Sequence, residues 1–255
     1  MCIICEGNYD INITILYCSD CPLLKGIPDS LTRLTELYCF SCPLLTKIPD
    51  TLTKLTDLTC DNCPNLTTIP DTLTKLTSLN CYSCPSLKII PDTLTNLTEL
   101  YCFECPLLTF ISESFTNLTC LNCSYCPLTN IPKSLTNLTR LYCYYCPLLK
   151  NIPDTLINLT RLDCRCCPLL TIIPDTLINL TSLDCRCCPL LTNIPKNNFF
   201  HEISYCKWLD PDKDRLNNLI KVQRKCKKYI QRRRETILTS LIDYLPREVI
   251  LYCIL

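Results

Sequence analysis

Nine times along this 255-residue chain the motif Cys-x-x-Cys-Pro returns, with first cysteines at Cys18, Cys39, Cys60, Cys81, Cys102, Cys123, Cys143, Cys164 and Cys185. Every step is 21 residues except the step of 20 from Cys123 to Cys143. A fixed period of that length marks stacked units, each too small to bury an apolar face by itself. The unit reads L-x-x-L-x-C-x-x-C-P-x-L-x-x-I-P-x-x-L-x-x, as in Leu34, Leu37, Cys39, Cys42, Pro43, Leu45, Ile48, Pro49 and Leu52. Comparing copies separates inside from outside. Leu24, Leu45, Leu66, Leu87 and Leu108 fill one slot without exception, while the slot before it takes Leu44, Asn65 or Ser86. The sixth copy, Cys126-Pro127-Leu128-Thr129-Asn130-Ile131, is one residue short, which predicts a small local bulge.

In Glu36-Leu37-Tyr38-Cys39-Phe40 the alternation puts Leu37 and Cys39 on one face and Glu36, Tyr38 and Phe40 on the other. Stacking such strands in parallel at about 4.8 Å gives a continuous leucine and cysteine interior, roughly 40 Å long over nine turns. The Ile-Pro-Asp-Thr-Leu stretches cannot continue a sheet, because proline lacks a ladder donor. They are expected as turns or short 3₁₀ pieces on the outside. Being bulkier than the strands, they curve the solenoid so that the strands line its concave side.

Composition narrows the chemistry. With 2 glycines the chain cannot build a Gly-rich phosphate loop, and with 1 histidine (His201) it has no multi-histidine metal site. Apolar residues at 47 % suffice for a sizeable core. Residues 207–255 hold 12 Lys+Arg against 6 Asp+Glu, whereas the remainder is mildly acidic. The expected organisation is an N-terminal cap over 1–17, a solenoid of about nine 21-residue repeats over 18–206, and a basic helical extension over 207–255. The start, from Met1 to Asp10, lacks the basic and apolar regions of a secretory signal, and no run of 18 apolar residues occurs. A cytoplasmic setting with reduced thiols is the expectation. The frequent Asn-Leu-Thr triplets, such as Asn65-Leu66-Thr67 and Asn96-Leu97-Thr98, read as repeat surface chemistry.

The repeat resembles the leucine-rich-repeat family over about residues 11–200, with Cys39 at the family's third strand leucine and Cys42 at its asparagine/cysteine ladder position. It looks like the cysteine-containing variety of plant immune receptors and of mimivirus-like giant-virus proteins. Scarce Gly beside abundant Ile, Asn, Lys and Tyr fits an AT-rich viral genome, which would place the protein in host cytoplasm. The resemblance implies an α/β solenoid of horseshoe form with a parallel concave sheet. It favours a buried thiol ladder over zinc for the Cys-x-x-Cys pairs, since zinc knuckles rarely run at constant period. Cys166 and Cys187 differ: they fall at the edge of the exposed strand face, beside Arg165 and Arg186, as two copies of one duplicated repeat.

Outward slots vary, and specificity can live there. Tyr38, Phe40, Tyr82, Tyr101, Phe103, Tyr142, Tyr144, Arg165 and Arg186 are the candidate protein-binding residues. Aromatic rings and arginines dominate protein interfaces because they bury much area for little entropy. Cross-strand stacking that merely stabilises the sheet is the alternative role for the rings. Glu36, Asp57, Asp61, Glu99 and Glu104 make the first half acidic, and Arg140, Arg161, Arg165 and Arg186 make the second half more basic. Asp163 and Asp184 beside their arginines read as a charge ladder. No acid/base pair suggests catalysis. The expectation is a monomeric, non-enzymatic scaffold without a cofactor that binds an unidentified protein, with neither membrane nor nucleic acid as partner.

Beyond residue 200 the register slips: Ile203 falls one place off the expected leucine, and this degenerate turn should cap the core. Asp210-Pro211 would start a helix. Val222, Gln223, Lys227 and Arg232 resemble the calmodulin-binding IQ motif, with Lys228 in place of its glycine. Leu245, Pro246, Glu248, Val249, Ile254 and Leu255 resemble the opening of an F-box, which binds a ubiquitin-ligase adaptor. Two other functions therefore stand beside the scaffold: an F-box-like substrate receptor of a ubiquitin ligase, and a thiol-rich metal-binding protein.

Overall fold

The computed structural model describes residues 2–195 and the backbone of 202–204. The IQ-like and F-box-like segments, His201 and the extension over 207–255 lie outside the described residues. One helical turn, α1 (Ile3–Glu6), precedes the strands and ends at Gly7, whose φ of 69° places it in the left-handed region. Ten three-residue strands follow: β1 (Ile15–Tyr17), β2 (Glu36–Tyr38), β3 (Asp57–Thr59), β4 (Ser78–Asn80), β5 (Glu99–Tyr101), β6 (Cys120–Asn122), β7 (Arg140–Tyr142), β8 (Arg161–Asp163), β9 (Ser182–Asp184) and β10 (Glu202–Ser204). They form one parallel sheet in sequence order. Leucine opposes leucine at the middle of each pair from β1 to β9.

The register absorbs both irregular repeats. Asn122 still faces Tyr142 across the 20-residue step. The short sixth copy does not bulge; its loop is cut short instead. Other copies close this loop with a bond three residues long, such as Leu45 N–H to Cys42 O at 3.1 Å, whereas here Cys126 N–H reaches Cys123 O at 3.3 Å and Pro127 is drawn into the interior. At the far end Ile203 pairs with Leu183, so β10 stays in register at a step of 20 rather than slipping off the ladder.

The core is one column. Its leucines, both cysteines of each repeat and the isoleucine of Ile-Pro are buried from Leu16 to Cys188, with Phe115 in the slot that Leu52, Leu73, Leu94 and Leu135 occupy in other turns. The Ile-Pro-Asp-Thr stretches form turns, and isolated parallel bridges Lys47 to Thr68 and Asn151 to Ile172 start a second ladder there.

Polar side chains tie each coil to the one before. Thr56 Oγ1 donates to Thr35 O at 3.1 Å, and Thr77, Thr98 and Thr119 repeat the bond. Asn96 Nδ2 donates to Thr74 O at 2.8 Å, as Asn117 does to Thr95 O at 3.0 Å. The Asn-Leu-Thr triplets are thus two hydrogen-bonding ladders flanking a buried leucine. The threonine hydroxyls add to carbonyls that already accept backbone N–H groups, as Thr35 O does from Thr56 and Asp57, while the asparagine amides reach loop carbonyls of the previous coil.

Candidate functional site

Each turn leaves its strand through a fixed series. The first and third strand residues point outward, the middle leucine inward; then come a buried cysteine, an outward residue, a residue with left-handed backbone and the ladder cysteine. The left-handed residues are Asp20, Ser41, Asn62, Ser83, Glu104, Tyr125, Tyr145, Cys166 and Cys187, with φ between 51° and 62°. In that conformation the N–H of Asn62 donates to Tyr82 O at 2.9 Å, and that of Tyr125 to Tyr144 O at 2.9 Å, so the ladder continues past the strand. Asp and Asn tolerate this region; other residues, tyrosine among them, pay a steric cost there of about 1–2 kcal/mol.

The ladder cysteines complete the frame. Cys42 Sγ donates to Cys18 O at 3.1 Å, Cys84 to Cys60 O at 3.1 Å, Cys105 to Cys81 O at 3.2 Å and Cys188 to Cys164 O at 3.1 Å. The first cysteines Cys18, Cys39, Cys60, Cys102 and Cys123 bond the other way, as Cys39 Sγ does to Thr59 O at 3.5 Å. Burial pushes the Cys39 thiol well above its usual range. Both thiols of these repeats are donors to backbone within the core.

On the outward face the rings gather in two places. Tyr17 and Tyr38 stack at 4.8 Å and 6°, and Tyr38 Oη donates to Glu36 at 3.0 Å. A larger cluster spans four coils. Tyr82 meets Phe103 at 5.8 Å; Phe103 meets Tyr125 edge-on at 5.1 Å and Tyr144 at 6.1 Å; Tyr125 stacks on Tyr145 at 4.8 Å and 11°. The Arg165 guanidinium sits over Tyr144 at 4.8 Å. These rings are half-buried, presenting one side to solvent.

Of the residues expected from sequence, Tyr82, Phe103, Tyr144 and Arg165 are brought together. Phe40 stands 37 % exposed. Tyr101 turns its hydroxyl to Glu99 at 3.2 Å, and Tyr142 lies under Arg161 at 5.9 Å. Arg165 pairs with Asp163 at 2.8 Å, and Arg186 with Asp184 at 2.6 Å, so both guanidinium groups are tied into the expected charge ladder. Sequence reading missed Tyr125 and Tyr145. Their signal was two tyrosines in successive copies of the slot before the ladder cysteine, where every other copy carries a non-aromatic residue.

An acid lies at the edge of this cluster. Asp61 is 8 % exposed; Asn80 Nδ2 donates to it at 2.9 Å and Tyr82 N–H at 3.2 Å, while Asn80 Oδ1 is buried without a partner. Burial pushes its carboxyl up to about 6, against the Tyr82 N–H bond that lowers it. A folded pKa above the unfolded value of about 3.9 means that ionised Asp61 costs stability above pH 6, and the cost fades as pH falls towards 4. Asp61→Asn should therefore stabilise the fold by about 1–2 kcal/mol at pH 7.5 and by almost nothing at pH 4. Thermal unfolding at the two pH values checks this; equal effects at both would remove the desolvated acid.

No helix among the described residues is long and apolar enough to cross a membrane. Five stretches match the Leucine Rich Repeat family: 12–34, 33–55, 117–138, 137–159 and 158–180. No curated protein sequence matches the chain. Among solved structures it is similar to the leucine-rich repeat domain of the type III effector XopL, at 24 % identity and a TM-score of 0.61 over 72 % of this chain and 71 % of that one. It is also similar to YopM, a leucine-rich effector protein from Yersinia pestis, at 18 % identity and a TM-score of 0.58 over 76 % of this chain and 57 % of that one. A plant ice-binding protein shares 22 % identity and a TM-score of 0.51 over 71 % of this chain and 74 % of that one. At these identities the likeness is one of fold. Over 12–55 and 117–180 the chain thus carries leucine-rich repeats, and an unbroken strand ladder joins the two stretches.

Proposed function

We propose that this protein is a non-enzymatic scaffold that holds a protein partner against the outward face of its strand ladder, centred on Phe103, Tyr125, Tyr144 and Tyr145. Leucine-rich-repeat solenoids generally serve as protein–protein interaction scaffolds. One observation carries the reading beyond that generality: two tyrosines occupy a backbone conformation that disfavours them and stack there, half exposed. Ring stacking within a sheet contributes about 0.5–1.5 kcal/mol per pair, less than the backbone cost of about 2–4 kcal/mol for the two left-handed tyrosines together. Asp20 and Asn62 fill the same slot in other copies at a lower backbone cost, since a short side-chain carbonyl can bond locally there. A contiguous aromatic patch edged by Arg165 is the composition of an interface hot spot.

The test is affinity capture from the native host cell with the full chain and with a Phe103→Ser/Tyr144→Ser variant. The variant should retain a specific partner at least ~10-fold less well, corresponding to about 1.4 kcal/mol. Ile178→Ser, at a residue 67 % exposed and away from the rings, should retain it as well as the parent does. Melting curves establish that both variants fold. Equal capture by the ring variant would reduce the cluster to sheet stabilisation.

A further inference from the structure

We propose that Cys2, Cys5 and Cys21 form a tri-thiolate site for a zinc ion, which staples the N-terminal segment onto the first coil. Cys5 Sγ lies 3.4 Å from Cys21 Sγ and 3.7 Å from Cys2 Sγ, and the three sulfurs fall within 4.8 Å of one another. Tetrahedral zinc with bonds of about 2.3 Å holds its sulfurs roughly 3.8 Å apart, so the ion needs only small shifts. A disulfide would need Cys5 and Cys21 sulfurs at about 2.05 Å.

Local structure explains why these three meet. The single turn of α1 carries Cys2, at its N-cap, and Cys5 on one side, and left-handed Gly7 turns the chain away directly after them. This Cys-x-x-Cys has no proline behind it, unlike the nine repeat copies. Cys21 is the ladder position of the first coil. Its counterpart Cys42 donates to Cys18 O one coil back, whereas Cys21 follows the turn of α1 and faces the two N-terminal sulfurs. Cys2 and Cys5 are half-buried, leaving a route for the ion and an open fourth position for water or an added ligand. Binding releases the thiol protons to solvent as the three Zn–S bonds form, with no change of oxidation state.

The experiment uses the full chain, reduced and freed of metal, titrated with Co²⁺ and then Zn²⁺. A thiolate-to-cobalt charge-transfer band with four-coordinate visible bands should appear and be abolished by one equivalent of Zn²⁺. Cys5→Ser should weaken Zn²⁺ on the order of 100-fold or more. Cys166→Ser and Cys187→Ser should leave it unchanged. Zn²⁺ should raise the melting temperature of the parent but not of Cys5→Ser, whose circular dichroism confirms the solenoid is intact. Absence of the cobalt band in the reduced parent overturns the proposal, as does a band kept in full by the Cys2→Ser/Cys5→Ser variant, which would put the metal on other cysteines.

Discussion

Leu100→Ala should lower the unfolding free energy by about 3–5 kcal/mol, the range for a leucine removed from a packed core. Leu100 is the middle residue of β5, fully buried, with Leu79 and Leu121 opposite it on the neighbouring strands. A column core has no second layer to close over the void, so the lost methyl groups leave contacts unmade on both adjacent coils. Leu23→Ala, one place before buried Leu24 but itself 58 % exposed, should change stability by less than about 0.5 kcal/mol. Leu16→Ala in β1, which pairs with β2 alone, should fall between, because an end coil can open without unfolding the rest. Urea unfolding of the three variants checks the order. Leu100→Ala should also reduce the denaturant slope, as the halves on either side begin to unfold separately. Equal losses at Leu100 and Leu23 would mean that the constant leucine slot is not the interior one.

The same alternation shows which parts of the molecule were readable from the residues. Slots that stay leucine or cysteine while their neighbours change had to be interior, and Leu45 beside Leu44 is the plainest case: buried against 40 % exposed. Strand register followed from the period, even where it faltered at Cys123 and Ile203, because a three-residue strand can keep its pairing while its loop loses a residue. Hydrogen-bond direction was not readable. Spacing places Asn96 and Thr98 on the surface, but only the path of the previous coil shows that both donate inward to its carbonyls. The ring cluster was half readable for a related reason. Left-handed backbone is normally signalled by glycine, and here nine such positions are filled without one, so Tyr125 and Tyr145 looked like ordinary loop residues. Arg165 and Arg186 were marked as contact residues by type, yet the acids two places before them, Asp163 and Asp184, hold them by ion pairs. The sulfur cluster at Cys2, Cys5 and Cys21 was hidden by the repeat itself, which drew attention to the copies carrying proline.

Alkylation of the folded, metal-free chain at neutral pH should divide its cysteines into two kinetic classes differing by at least ~10³ in rate. Cys81 and Cys102 are fully buried, and their thiols stand well above the usual range because they hydrogen-bond the ladder sulfurs of Cys105 and Cys126 and because they are desolvated. The thiolate is the reacting form, so these sulfurs can be modified only after their coil has opened. Opening a central coil costs close to the global stability, and even 5 kcal/mol suppresses the reactive population by more than ~10³. Cys166 and Cys187 fill the left-handed slot in Cys-Arg-Cys-Cys and are partly exposed, so they should react first. Peptide mass mapping over a time course separates the classes, and 4 M urea should bring the slow class forward if access is limited by unfolding. Rapid labelling of Cys81 and Cys102 in the native chain would break the argument at its base. A sulfur that reagent reaches freely is not sealed inside the column, and the coils would then have no shared interior to hold the aromatic face in place.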